Sequence, residues 1–106
     1  MEPPLPLKIF QPHPKRISVL EQKQVELTYY GPEATLVQVG GDFNNWLPAT
    51  QPLEYIGFGE WMVRLKLNSG RYEYRFVVDG RWTDDPQATE SSTNAFGAHN
   101  SLLRVG

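Results

Sequence analysis

The side chains in this sequence that are best suited to hold a small ligand are two tryptophans, an arginine and an asparagine. Trp46 stands in a predicted loop, and Trp82 is predicted beside Arg75 on the solvent-facing side of a hairpin. An indole offers a flat apolar plate, a guanidinium offers a fixed fork of donors, and the amide of Asn100 both donates and accepts. Such a set fits the apolar C–H face and the hydroxyls of a pyranose ring. We therefore predict a sugar-binding site.

Each of the two tryptophans also has a purely structural interpretation. Trp46 follows Asn44 and Asn45, two residues that tolerate left-handed backbone, and it could close one end of the domain as an apolar plug. Trp82 could cover the outer face of its own hairpin as the cross-strand partner of Val77. We favour ligand binding, because a loop apex rarely has room to bury an indole fully and because Trp82 shares its face with an arginine.

Catalytic chemistry finds little support in the sequence. Asp84 and Asp85 are neighbours on a predicted strand and point to opposite faces, so they cannot flank one glycosidic bond. His13 and His99 lack the spacing of metal ligands, and no phosphate-binding loop or nucleophile elbow is present. We predict a binding domain rather than an enzyme, with no catalytic residue, metal or cofactor.

The hairpin from Tyr72 to Trp82 must position part of this site. Apolar side chains occupy alternate positions along its first strand, at Tyr72, Tyr74, Phe76 and Val78. Asp79-Gly80 is a preferred pair for a two-residue turn of the primed type. With that turn, Val77 opposes Trp82 and Arg75 opposes Asp84, and opposed residues share a face of the sheet. Trp82 is thus predicted on the outer face, away from the aromatic core.

Short alternating segments separated by turn residues predict an all-β fold. Further strands are expected at 17–19, 25–29, 37–43, 53–56, 61–67 and 101–105, with Trp61 in the core, residues 87–100 as a polar loop and the last strand at a sheet edge. About seven antiparallel strands of this kind are typical of an immunoglobulin-like (early-set) β-sandwich. We predict a proline-rich N-terminal extension at 1–15 and one sandwich domain at 16–106.

Composition narrows the class of partner and the compartment. The 106 residues carry a net charge of −2 and 40% hydrophobic residues, which is ordinary for one soluble domain. The sequence pI of about 5.6 disfavours nucleic acid and anionic membrane as partners. It therefore also argues against an alternative function, a small β-barrel that binds single-stranded nucleic acid. The absence of cysteine fits a reducing compartment, and the sequence shows no signal peptide or membrane-spanning stretch. We predict a cytoplasmic location.

Five blocks of sequence, taken in order, resemble family-48 carbohydrate-binding modules. The blocks are Val39–Trp46, Gly59–Trp61, Gly70–Trp82, Asp85–Pro86 and Phe96–Ser101, within a resemblance that runs roughly from Ile17 to Val105. That family includes the glycogen-binding domain of AMP-activated protein kinase β-subunits and the N-terminal modules of isoamylases and branching enzymes. The resemblance implies a β-sandwich that binds α-1,4-linked glucan such as glycogen, starch or maltooligosaccharides.

The resemblance also implies which residues contact the sugar. The family's contact positions fall on Trp46, Arg75, Trp82, Phe96 and Asn100. Arg75 stands where the glycogen-binding members usually have lysine, and a planar guanidinium reads a different pattern of sugar hydroxyls. Ala98 stands where the kinase module has a loop threonine, which implies the loss of one hydroxyl contact. The alternative function is a docking or regulatory module with a weak or absent sugar site, whose partner is a catalytic domain or a kinase subunit.

Overall fold

The computed structural model describes residues 22–93 and 99–106, and these residues form two antiparallel β-sheets. The eight strands are β1 (Lys23–Tyr30), β2 (Val37–Gly41), β3 (Glu54–Gly57), β4 (Glu60–Leu67), β5 (Gly70–Val78), β6 (Arg81–Thr83), β7 (Ser91–Thr93) and β8 (His99–Val105). One sheet has the order β1-β4-β3, and the other has the order β2-β5-β8-β7, with β6 also paired to β5. The predicted all-β sandwich is confirmed.

The core lies between the two sheets and is built by residues of alternate positions. Phe76 of β5 is fully buried, as are Val37 and Val39 of β2. The Phe76 ring lies 5.2 Å from the ring of Tyr29 on β1, so the two sheets meet through aromatic side chains. Trp61 is 9% exposed within the same core, as its alternation with apolar residues predicts.

The hairpin between β5 and β6 has the register that its Asp-Gly turn predicts. Val77 pairs with Trp82 and Val78 with Arg81. Asp79 and Gly80 both have positive φ, 49° and 84°, as a primed turn of the first type requires. Asp79 also has a second role, because its Oδ1 accepts hydrogen bonds of 2.8 Å from the backbone N–H groups of Thr35 and Leu36. The turn thereby anchors the chain that leads into β2.

Two predictions about the C-terminal part of the chain are wrong. The predicted polar loop at 87–100 contains strand β7 and the first residues of β8. The last strand is not at an edge, because β8 lies between β5 and β7. The sequence Ser91-Ser92-Thr93 carries no apolar alternation, and it is a strand because β8 offers it a free ladder of backbone groups.

The predicted strand at 17–19 and the extension at 1–15 lie outside the described residues, so the boundary at residue 16 stays a prediction. The other strands occur where the alternation predicts them, although β2 ends at Gly41 and Phe43 belongs to a short 3₁₀ turn at Asp42–Asn44. The described residues contain no helix long and apolar enough to cross a membrane.

Candidate functional site

An open groove on the outer face of the larger sheet brings together four of the five predicted site residues. Trp46, Arg75, Trp82 and Asn100 line this groove, which has a volume of about 390 Å³. They come from the loop after β2, from β5, from β6 and from β8. Phe96 and the neighbouring Ala98 lie outside the described residues, so their contribution stays a prediction. We call this groove the tryptophan groove.

Trp82 both covers the sheet and faces solvent. Val77, its cross-strand partner on the same face, is only 5% exposed, while Trp82 itself is 45% exposed. The ring extends across β5 to β2, because a methyl group built on Gly40 would lie 2.8 Å from its Cη2. The structural and the ligand-binding interpretations of Trp82 are therefore compatible: one side of the indole packs and the other is free.

The indole of Trp46 stands beside that of Trp82 at an angle. The two ring centroids are 6.1 Å apart, and the ring planes are inclined by 46°. Two inclined plates form an angular surface instead of a flat one. Successive rings of a curved ligand could each lie on one plate, whereas a flat ribbon would contact only one of them.

The loop that presents Trp46 has an unusual backbone. Asn45 and Trp46 both have φ of 58°, in the left-handed region. The predicted tolerance of the Asn-Asn pair is correct for Asn45, whereas Asn44 lies in the 3₁₀ turn and uses its side chain instead. Its Oδ1 accepts from the backbone N–H of Gly41 at 3.0 Å, and its Nδ2 donates to the carbonyl of Val39 at 2.9 Å.

Arg75 lies in the floor of the groove and is already paired. Its side chain is 23% exposed, and its Nη2 lies 2.9 Å from Oδ1 of Asp84 in an ion pair. Its Nε is buried and has no hydrogen-bond partner among the described residues. The ion pair offsets the charge of the guanidinium, so Arg75 brings hydrogen-bond donors to the groove without a strong positive field.

Asp84 and Asp85 follow β6, which ends at Thr83 and does not include them as predicted, but they still contact residues on opposite faces of β5. Asp85 lies on the core side, where its Oδ2 accepts a hydrogen bond of 2.5 Å from the hydroxyl of Tyr74. Burial raises the pKa of Tyr74 well above the usual value of 10.0, and the hydrogen bond to Asp85 raises that pKa further. Asp84 remains on the outer face with Arg75, so the two carboxylates do not face a common ligand.

Asn100 is oriented by a residue that the sequence analysis did not single out. Its Nδ2 donates to Oε1 of Glu73 at 3.0 Å, and the other oxygen of Glu73 lies 3.5 Å from Nη2 of Arg71. A carboxylate can only accept, so the nitrogen of the Asn100 amide must face Glu73. The carbonyl oxygen then points the other way and is the atom presented to a ligand. The outward position of Glu73 in β5, two residues before Arg75, was the available signal.

Asp42 is the second residue that was missed. Its Oδ1 accepts from Nε1 of Trp46 at 3.0 Å, and its Oδ2 accepts from the backbone N–H of Glu73 at 2.8 Å. No periodicity or motif points to these contacts, because they depend on how the loop folds back onto β5. Among the described residues, no group of three or more His, Cys, Asp or Glu side chains is placed to hold a metal ion.

Comparison with known proteins identifies the family. The family described as the glycogen recognition site of AMP-activated protein kinase matches residues 24–106. The chain belongs to this family. It is therefore a carbohydrate-binding module of the glycogen-recognition type, which confirms the resemblance drawn from its sequence blocks.

Several curated proteins contain a segment similar to this module. The chain is 33% identical over 87 residues to phosphoglucan phosphatase DSP4, amyloplastic, of Castanea sativa, covering 81% of the chain and 23% of that protein. It is 34% identical over 102 residues to Protein FLOURY ENDOSPERM 6, chloroplastic, of Oryza sativa subsp. japonica, covering 92% and 19%. It is 35% identical over 71 residues to the 5'-AMP-activated protein kinase subunit beta-1 of Sus scrofa, covering 65% and 53%. The module thus spans between about a fifth and a half of these relatives.

A solved structure shares the fold of the module. The crystal structure of maltogenic amylase from S. marinus superimposes with a TM-score of 0.69 at 24% identity, covering 80% of this chain and 14% of that chain. At this identity the match shows the β-sandwich fold alone.

Proposed function

We propose that the module binds α-1,4-linked glucan, such as glycogen, starch or maltooligosaccharides, in the tryptophan groove. The observation that carries this proposal is the pair of inclined indoles, 6.1 Å apart, above Arg75 and Asn100. Glucose rings stack through their C–H faces on the indoles, and their hydroxyls bond to the guanidinium and to the carbonyl oxygen of Asn100. The family resemblance implies that Phe96 also contacts the sugar.

The number of aromatic contacts and hydrogen bonds in the groove sets the expected affinity. Each aromatic contact contributes about 0.5–1.5 kcal/mol beyond area burial, and each net hydrogen bond about 1 kcal/mol. A few such contacts correspond to a Kd between about 1 µM and 1 mM. Because the ligand is uncharged and the guanidinium is already paired, this affinity should depend little on ionic strength.

We also propose that the module itself is not an enzyme. The two neighbouring carboxylates support this, because each already has a partner, Arg75 for Asp84 and Tyr74 for Asp85. They lie on opposite faces of the sheet and so cannot act together on one glycosidic bond as acid and base.

In a longer protein the module would bring a catalytic unit to glucan. This proposal is supported by the relatives, which include a phosphoglucan phosphatase and a protein kinase subunit. The predicted cytoplasmic location stays a prediction, since two of the relatives are named as amyloplastic and chloroplastic.

One observation favours docking as a second function. The turn between β3 and β4 presents Phe58, which is 98% exposed, next to Tyr55 and Ile56, each 50% exposed. An exposed apolar cluster of this kind fits an attached domain or subunit better than it fits water. The cluster stands on the smaller sheet, whereas the tryptophan groove is built on the larger one, so both functions can coexist.

The proposal is tested by calorimetric titration with maltoheptaose and β-cyclodextrin, with cellohexaose as the β-linked control. We expect saturable binding of the α-linked sugars alone. Trp46→Ala and Trp82→Ala should each raise Kd about tenfold, while Phe58→Ala, an exposed aromatic outside the groove, should leave Kd unchanged. A folded parent that binds none of these sugars would exclude the proposed function and leave docking as the better one.

A further inference from the structure

The plate formed by Trp46 rests on a strained segment of backbone. Left-handed φ is uncommon for residues with a side chain and is least expected for a bulky one, yet Asn45 and Trp46 adopt it in succession at 58°. Such conformations persist only where the surrounding structure determines them, and they concentrate at functional sites. Contacts with the rest of the domain must therefore hold Trp46 in this position.

Backbone contacts account for the path of the chain. The N–H of Trp46 donates to the carbonyl of Gly41 at 2.9 Å, and the side chain of Asn44 bridges the N–H of Gly41 and the carbonyl of Val39. These bonds close the loop into a compact turn. They fix the backbone of Trp46 but make no contact with its indole, so the orientation of the ring depends on side-chain contacts.

Asp42 supplies the contact that fixes the indole itself. One carboxylate oxygen accepts from Nε1 of Trp46 at 3.0 Å, and the other accepts from the backbone N–H of Glu73 at 2.8 Å. Glu73 belongs to β5, the strand that also carries Arg75, and its side chain holds the amide of Asn100 at 3.0 Å. A single carboxylate thus ties the movable plate to the rigid strand on which the other groove residues are aligned.

We propose that Asp42 is a positioning residue for glucan binding, a role that rests on the proposed function. It acts through Trp46: it holds the indole at its angle to Trp82 before the sugar arrives, so that binding does not have to order the plate. Both oxygens of Asp42 are occupied by protein donors, and it need not contact the sugar.

Two substitutions separate this role from a general effect on folding. Asp42→Ala removes both acceptors and should raise the Kd for maltoheptaose about 3- to 10-fold. Asp42→Asn keeps one acceptor, which the indole can use, but its amide nitrogen cannot accept from the N–H of Glu73. Its Kd should lie between those of the parent and Asp42→Ala. Urea unfolding of each variant establishes the fraction folded during titration.

The indole N–H signals give a readout that does not involve sugar. The three tryptophans yield three indole N–H resonances in a ¹H–¹⁵N spectrum, and loss of one signal in Trp46→Ala identifies that of Trp46. In Asp42→Ala this signal should shift and exchange faster with solvent, while the signal of the core residue Trp61, whose N–H donates to the carbonyl of Gly31, should not move. An unmoved Trp46 signal would overturn the proposal.

A double-mutant cycle tests whether Asp42 acts only through the plate. In the Trp46→Ala background, Asp42→Ala should change Kd by less than about twofold. A full loss in that background would show that Asp42 contacts the sugar directly and would overturn the positioning role. A parent that binds, together with an Asp42→Ala variant of equal affinity, would refute the role of Asp42 alone; a parent that binds no sugar would refute the proposed function beneath it.

Discussion

Gly40 offers a way to move Trp82 without changing it. Gly40 lies on β2 opposite Arg75, and its φ is not positive, so alanine fits its backbone. The added methyl group would lie 2.8 Å from Cη2 and 3.0 Å from Cζ3 of Trp82. Carbon atoms in contact prefer separations of about 3.5–4.0 Å, so the ring must move outward by about 1 Å.

Gly40→Ala should change the stability of the fold little and weaken binding clearly. The displaced atoms belong to the far end of a half-exposed side chain, so the ring can move at little expense to the fold. Replacing glycine by alanine stabilises by about 0.4–1 kcal/mol through the unfolded chain, which offsets part of the remaining strain. Loss of much of one aromatic contact, about 0.5–1.5 kcal/mol, should raise Kd roughly 2- to 12-fold.

Calorimetric titration with maltoheptaose and urea unfolding measure the two effects on the same Gly40→Ala sample. The control is the same substitution in the Trp82→Ala background, where the methyl group has no ring to displace and should leave Kd unchanged. If Gly40→Ala bound as tightly as the parent, the position of the Trp82 ring over β2 would be irrelevant to binding, and our account of the groove would be wrong.

Two further predictions concern side chains on either face of β5. Glu73→Gln should raise Kd about 2- to 5-fold in the same titration, because a glutamine no longer dictates which end of the Asn100 amide faces the groove. Glu26→Gln, on the opposite sheet, is its matched control, and an unchanged Kd for Glu73→Gln would show that the amide is oriented by something else. Tyr74 has a pKa raised by burial, so the folded chain keeps its proton where the unfolded chain loses it; this contribution to stability is complete below pH 10.0 and is lost as the pH rises further. Tyr74→Phe should be about 1 kcal/mol less stable than the parent at pH 7, because it loses the hydrogen bond to Asp85. Urea unfolding between pH 7 and 11 should show that this difference in the free energy of unfolding narrows above pH 10. A difference in the free energy of unfolding that stayed constant to pH 11 would contradict a raised pKa for Tyr74.

The hairpin shows why much of this fold could be predicted from sequence. The Asp-Gly pair admits a two-residue turn, and the strict alternation before it leaves one register that buries Tyr74 and Phe76. Once that register is set, the outward position of Trp82 follows. Strand β7 could not be predicted in this way, because Ser91, Ser92 and Thr93 acquire their structure from β8 and carry no pattern of their own.

The candidate site likewise contains some residues that the sequence predicts and others that it does not. Trp46, Arg75, Trp82 and Asn100 could be named from residue type, predicted face and family resemblance. The roles of Asp42 and Glu73 could not. The outward position of Glu73 is predictable, but its bond to Asn100 spans 27 residues and leaves no periodic trace. Asp42 lies only four residues before Trp46, and the bond between them depends on how the loop folds. Trp46 itself was expected at a loop apex, but its left-handed backbone follows from tertiary contacts and not from a propensity of tryptophan.

The tryptophan groove is assembled from four separate stretches of the chain, so a sugar that occupies it acts as a non-covalent cross-link. It joins the loop after β2, β5, β6 and β8, which are adjacent only in the folded state. A ligand that binds the folded chain alone, at a hundred times its Kd, adds about 2.7 kcal/mol to the free energy of unfolding. For a domain of this size that corresponds to a rise in melting temperature of roughly 10–20 °C, since each kcal/mol is worth about 4–8 °C. Thermal denaturation in the presence of glucan therefore reports binding to the folded chain, in which the four stretches are adjacent.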